Sequence, residues 1–263
     1  HMDYFTSAKT TDFDAALACH CRFAARNHGM VEKFDEEIRG ARGDIQVRRL
    51  GWYDGGVLRG YAAYRFESAS DSNYTQNRLS VEELVYEDGA ILRGLLGGLN
   101  MQADLAQTVI LRTGEEDFHH LLDDPQDVSK NYIDYGFLQT NVSAVGTMFK
   151  LVDGEDFVRR TAYRPFPAGT LTAAFRYRDE LAGGERCLRI AFSGGRWAVA
   201  DADAAPDVTV TCRQGDLASL LMGSCQLEGM LRLGAASADN GEVAQQLSRL
   251  LHYGQKPWLN SDY

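Results

Sequence analysis

A strand, a helix and a second strand follow one another between residues 79 and 112, and this run constrains the fold more than any other. Arg78 to Tyr86 alternates as a strand does, with Leu79, Val81 and Val85 as its apolar positions. Ala90 to Leu99 is apolar and helical in composition, and Gln107 to Arg112 reads as the next strand. Period-two alternation marks a half-buried strand, and a helix set between two strands is a crossover.

The turn that opens this helix is Tyr86-Glu87-Asp88-Gly89. A crossover that binds a nucleotide or CoA needs glycines and free backbone N–H groups there, because those groups meet the pyrophosphate. Glu87 and Asp88 suit a helix N-terminus, whose partial charge is positive, but they would repel a diphosphate. The phosphate cradle is missing. Arg93-Gly94-Leu95-Leu96-Gly97-Gly98 has the composition of a phosphate loop but falls inside the helix, where N–H groups are spent on helix bonds. Gly94, Gly97 and Gly98 are expected to pack the helix closely on its sheet, at some cost in helix propensity.

At 263 residues the chain has room for two domains, and 44% hydrophobic with 24% charged residues places it among globular proteins. Its formal charge is −10 and no basic stripe is present, which argues against nucleic acid and anionic membranes as partners. No segment reaches the roughly 20 apolar residues of a membrane span. No signal peptide is visible, His1-Met2 has the look of a cloning scar, and a cytoplasmic location is expected. Five scattered cysteines do not make a disulfide framework. Cys19-His20-Cys21 lacks the second Cys or His pair of a zinc site, so no metal is expected.

Along the chain, Thr10 to Asp14 offers N-caps for a helix running to about Arg26. Residues 30–44 are a second helix or a charged loop. Two strands, Ile45 to Tyr53 and Val57 to Phe66, flank Asp54-Gly55-Gly56, a strong hairpin signal. Glu115 to Leu122 is expected as a short helix, and Asn141 to Lys150 is β-compatible. Arg164 to Gly169 carries two of the five prolines and reads as a linker. Beyond it come strands at 170–178, 188–192, 196–200 and 207–212. A helix Leu217 to Met222 follows, capped by Asp216, and then an amphipathic helix Glu242 to Leu251.

Glu115, Glu116, His119, His120, Asp123 and Asp124 crowd one stretch. On a helix, Glu115 with His119 and Glu116 with His120 are neighbours that could form a carboxylate–histidine metal face. A solvated helix with acidic start and basic end is the stronger reading, since no H-E-x-x-H signature is present. Neither Ser143 nor Ser193 sits in a nucleophile elbow. The C-terminal residues Lys256 to Tyr263 include Trp258, Leu259 and Tyr263, which favour burial, so this tail is expected to dock.

The order of Gly60-Tyr61-Ala62-Ala63-Tyr64-Arg65, Val81-Glu82-Glu83-Leu84, Phe149 to Asp153, Asp207 to Val210, Leu220-Leu221-Met222-Gly223 and the aromatic tail resembles the Eis-like (enhanced intracellular survival) acetyltransferases, in their C-terminal part. The resemblance implies an α+β chain. Residues 1–2 are the scar, 3–160 a degenerate GNAT-like mixed sheet with flanking helices, and 161–263 a sterol-carrier-protein (SCP2-like) α/β sheet domain. It implies an acetyl-CoA-dependent N-acetyltransferase acting on small-molecule amines. In that family acetyl-CoA belongs to a first GNAT domain, which this chain would lack. The chain alone would then bind no cofactor and be inactive, and the full-length protein would be a homo-oligomer. By position the resemblance gives the C-terminal carboxylate of Tyr263 the role of general base and Asp262 that of holding the substrate cation. Two other readings stand beside it: a module binding an apolar or acyl ligand in the SCP2-like domain, and a scaffold for oligomerisation.

Overall fold

At Asp54-Gly55-Gly56 the chain reverses through two glycines at φ +55° and +79°, backbone angles that glycine alone adopts without strain. The computed structural model describes residues 1–5, 10–73, 75–146, 148–180 and 182–259. Packing divides them into two units: residues 1–146 with the chain end from Trp258, and residues 147–257.

The first unit contains β1 (Met2–Phe5), α1 (Thr10–Ala24), α2 (Asp35–Gly43), β2 (Arg48–Asp54), β3 (Val57–Ser68), β4 (Asn77–Tyr86), α3 (Gly89–Asn100) and β5 (Thr108–Leu111). Its sheet runs β1-β2-β3-β4-β5. All pairs are antiparallel except β4 with β5, which are parallel as the crossover requires. Met2 pairs with Trp52, so residue 2, expected as part of a scar, lies in an edge strand. β5 pairs only with Arg78 to Val81, which leaves the second half of β4 without a partner on that side.

The expected single apolar face of β4 is split. A register shift in the β3–β4 ladder lies between Ala63 and Tyr64. Such a bulge re-aims every later side chain to the opposite face. Leu79, Val81 and Leu84 pack with Ile91, Leu92, Leu95 and Leu99 of α3. Val85 packs on the other face with Tyr61, Ala63, and Ala16, Cys19 and Phe23 of α1. α3 sits close to the sheet through two of its glycines: a Cβ on Gly94 would lie 2.2 Å from Trp52, and one on Gly98 2.3 Å from Leu50. Gly97 faces open space and has no such role.

After β5 the fold departs from expectation. The helix expected at 115–122 is a single 3₁₀ turn, Phe118–Leu121. A small hairpin of β6 (Tyr132–Ile133) and β7 (Phe137–Leu138) follows. Residues 141–146 form no strand: Val142 and Val145 are exposed and no partner strand supplies a ladder.

The second unit contains α4 (Gly154–Arg160), β8 (Leu171–Arg178), β9 (Glu185–Ser193), β10 (Arg196–Val199), β11 (Val208–Cys212), α5 (Gln214–Met222), α6 (Leu227–Arg232), β12 (Ala236–Ala238) and α7 (Gly241–Leu250). The sheet order is β10-β9-β8-β11-β12, with β8 and β11 parallel. Leu217, Leu220, Leu221, Leu227, Ala244, Leu247 and Leu250 bring the helices onto Phe175, Ile190 and Val210 of the sheet. Leu151, ahead of α4, and Val158 within it, both of which precede residue 161, belong to this core. Arg213, not Asp216, is the N-cap of α5, and Asp216 pairs with its guanidinium at 2.7 Å.

The α3 start and the β4 face make distinct claims on stability. Val85→Asp puts an unpaired carboxylate between sheet and α1 and is expected to cost several kcal/mol. Asp88→Ala removes a helix cap worth about 1 kcal/mol. Urea melts compare the two; equal losses would contradict the assignment of Val85 to the α1 face.

Candidate functional site

The start of α3 is closed by the chain's own carboxylates. Asp88 accepts hydrogen bonds from the N–H groups of Ala90 at 2.8 Å and Ile91 at 2.9 Å. These are the donors that an anion at a helix N-terminus would use. Glu87 meets Arg22 at 2.8 Å, Arg59 at 3.2 Å and Arg26 at 3.8 Å. Burial acts to raise the Glu87 carboxyl, but the Arg22 bond and the arginine charges outweigh it and hold it below its ordinary value. The arginines near this turn are thus already engaged by a carboxylate.

Four residues before Glu87, on β4, Glu83 is the hub of a buried cluster. His20 Nδ1 lies 2.7 Å from it and Lys33 Nζ 3.2 Å, and Tyr61 donates a third hydrogen bond. Burial alone would raise the Glu83 carboxyl; the bonds from His20 and Tyr61 and the Lys33 charge reverse this and hold it below its ordinary value. Burial and the neighbouring Glu83 push Tyr61 well above the ordinary tyrosine range. His20 Nε2 faces the Val31 carbonyl at 3.0 Å. Both ring nitrogens therefore face acceptors, and neither is offered to a substrate. Desolvation raises the neighbouring Cys19 thiol to about 11, which makes it a poor nucleophile. The Cys19-His20-Cys21 motif is thus a structural clasp between α1, the 31–33 segment and β4. Among the described residues, no group of three or more His, Cys, Asp or Glu side chains is placed to hold a metal.

The acidic–histidine stretch does not make the expected helix face. Glu115 precedes the 3₁₀ turn and accepts from the Tyr86 hydroxyl at 3.2 Å. The His119 and His120 rings lie tilted against each other, with centroids 4.1 Å apart. Pairing at i, i+4 needs α-helical rise, which a turn of this length does not provide.

The tail docks as far as it is described. The Trp258 backbone N–H donates to the His28 carbonyl at 3.1 Å. Its ring meets Phe23 edge-on, with centroids 6.4 Å apart. Tyr263 and Asp262, the expected catalytic and substrate-binding residues, lie outside the described residues.

In the second unit an aromatic group fills the space beside the sheet. Trp197 donates its indole N–H to the Thr161 carbonyl at 3.0 Å. Phe166 lies 4.6 Å from it and Phe157 6.0 Å, centroid to centroid. Arg164 lies over the rings of Phe157 and Tyr253. The sequence held little sign of either buried cluster. The adjacent acids Glu82-Glu83 inside an apolar strand were the one signal for Glu83, and a face-switching bulge has no marker of its own.

Residues 25–140 match the family model of the acetyltransferase (GNAT) domain, and residues 155–260 match that of the sterol carrier protein domain. The chain carries a GNAT acetyltransferase domain followed by a domain of the sterol carrier type. Among solved structures it resembles Eis1 from Mycobacterium abscessus, with a TM-score of 0.69 at 18% identity over 100% of this chain and 62% of that one. A GCN5-related N-acetyltransferase from Anabaena variabilis gives 0.71 at 14%, over 100% and 62%. A probable N-acyltransferase from Enterococcus faecalis gives 0.69 at 14%, over 100% and 62%. At these identities the likeness shows the fold, a GNAT-like mixed sheet followed by a second sheet domain. The chain spans about three fifths of the length of these neighbours. No curated protein matches it in sequence. The expected lack of a GNAT domain finds no support, since the match places one within residues 25–140. No described helix is long and apolar enough to cross a membrane.

The Glu83 cluster has a signed pH dependence. Its folded-state value is held below the ordinary 4.5, so its contribution is complete above that value and is lost as pH falls through the folded one. Glu83→Gln leaves Lys33 without its carboxylate and is expected to cost about 3–5 kcal/mol at neutral pH. The variant's stability should also fall less steeply in acid. Urea melts from pH 7 down to pH 3 check this; parallel profiles for the two proteins would remove Glu83 from the account.

Proposed function

We propose that the whole protein to which this chain corresponds is an acetyl-CoA-dependent N-acetyltransferase acting on small-molecule amines. The observation that carries the reading is the GNAT match over the first unit. The names of the neighbours, an Eis1, an N-acetyltransferase and a probable N-acyltransferase, agree with it. We further propose that this chain alone does not hold acetyl-CoA and is inactive, because the α3 start that would take the diphosphate is filled by Asp88 and Glu87. The coenzyme's phosphates are then held elsewhere in the whole protein, which acts as a homo-oligomer.

The chemistry asks for a base. An alkylammonium substrate has a pKa near that of lysine, roughly 10.4, and must lose a proton before its nitrogen attacks the thioester. A carboxylate desolvated beside an acyl group has its pKa raised toward neutrality and can take that proton. In this proposal the base is the C-terminal carboxylate of Tyr263, with Asp262 beside it holding the cation. Deleting residues 261–263, or extending the chain by a few residues, should lower kcat of the whole enzyme by about 10²-fold. It should leave the melting temperature nearly unchanged. Undiminished turnover would remove Tyr263 from the mechanism.

An apolar or acyl ligand in the sterol-carrier-type unit is the alternative. The Trp197, Phe166 and Phe157 rings occupy the space beside its sheet, which disfavours a lipid there. A fluorescent fatty acid is expected to show no saturable binding at micromolar concentration; saturable binding would revive the alternative.

A further inference from the structure

β4 and β5 run side by side from Arg78 and Thr108 to Val81 and Leu111, and beyond that point no pairing joins them. In open sheets with parallel strands, the crevice beyond the carboxyl ends of such strands is where ligands sit. In this protein the crevice holds a side chain from the far end of the sequence. The Trp258 ring joins the cluster formed by Tyr86 at the end of β4, Phe23 of α1 and Tyr53. Phe23 and Tyr86 meet edge to face with centroids 5.4 Å apart, and Trp258 adds a second edge contact to Phe23. On the β5 side the wall is Gly114, where a Cβ would lie 2.3 Å from Trp258 Cγ. The ring and the missing side chain are matched in shape.

Two further observations mark this as a seat and not a surface contact. The indole Nε1 is buried and has no hydrogen-bond partner among the described residues, so apolar contact around the ring must offset an unmade bond. The backbone of the same residue is pinned by its N–H to the His28 carbonyl. His28 lies in the segment between α1 and Val31, and Val31 is held in turn by His20.

We propose that the crevice beyond β4 and β5 is a built site for an indole-sized aromatic ring, filled by the chain's own Trp258. Trp258 is a positioning residue for the C-terminal segment. Tyr263 is five positions further along the chain, a reach of at most about 18 Å when extended. If the proposed role of Tyr263 holds, the reacting centre lies within that radius of the seat. The seat itself does not depend on that role.

Hydrogen exchange followed by mass spectrometry on the full chain tests it, with no activity measured. Trp258→Ala should speed exchange in the segments 21–31 and 255–263 by about tenfold or more while β3 and β4 stay protected. Free indole at millimolar concentration should restore much of the protection in that variant. Gly114→Ala, which crowds the ring and leaves the tail intact, should loosen segment 255–263 as well. Unchanged exchange in Trp258→Ala, or no recovery with indole, would overturn the proposal.

Discussion

A one-residue shift in the β3–β4 ladder, between Ala63 and Tyr64, governs the rest of the first unit. Before it, β4 gives Leu79 and Val81 to α3. After it, Glu83 and Val85 turn toward α1. A carboxylate moved under a helix must be paired or neutralised. Here each has a full set of partners: His20, Lys33 and Tyr61 for Glu83, and Arg22, Arg59 and Arg26 for Glu87. α1 supplies partners to both acids, so the same contacts that satisfy the charges hold the helix on the sheet. Removing Glu83 leaves the largely buried Lys33 and His20 without its carboxylate, and that is why this cluster matters more to integrity than an exposed ion pair of similar length would.

The consequence for function follows from where these groups sit. A strand–helix–strand crossover can offer two features to an anionic ligand: free N–H groups at the start of its helix, and a crevice beyond the parallel strands. Both are satisfied from within. Asp88 takes the N–H groups of Ala90 and Ile91. Trp258 occupies the crevice against Gly114. The unit keeps a GNAT-like mixed sheet, and both positions carry its own side chains. A docking platform for the chain's end has these properties.

The strands and helices were legible where period and turn chemistry agree. Asp54-Gly55-Gly56 marked the first hairpin, and the apolar run from Ala90 marked α3 with its cap at Asp88. The carboxylates at the start of α3 were legible too, because a helix cap is a local feature. What failed was non-local. Alternation alone puts Val85 on the face of Leu79 and Val81, and only the bulge separates them. Residues 115–122 have helical spacing, but Glu115 is drawn away to the Tyr86 hydroxyl and a short 3₁₀ turn remains. Asn141 to Lys150 has β composition, but residues 141–146 find no strand to pair with among the described residues. The docking of the tail was foreseeable from Trp258 and Leu259, but its seat was not. Gly114 carries no mark in the sequence that distinguishes it from a loop glycine.

The central proposal is that Glu87, Asp88 and Trp258 close the positions an acyl coenzyme would take in this unit. Isothermal titration of acetyl-CoA into the chain at low ionic strength tests it most directly, since salt would mask a weak electrostatic contact. The account expects no saturable heat up to millimolar coenzyme. A dissociation constant of micromolar order, about −8 kcal/mol, would contradict it.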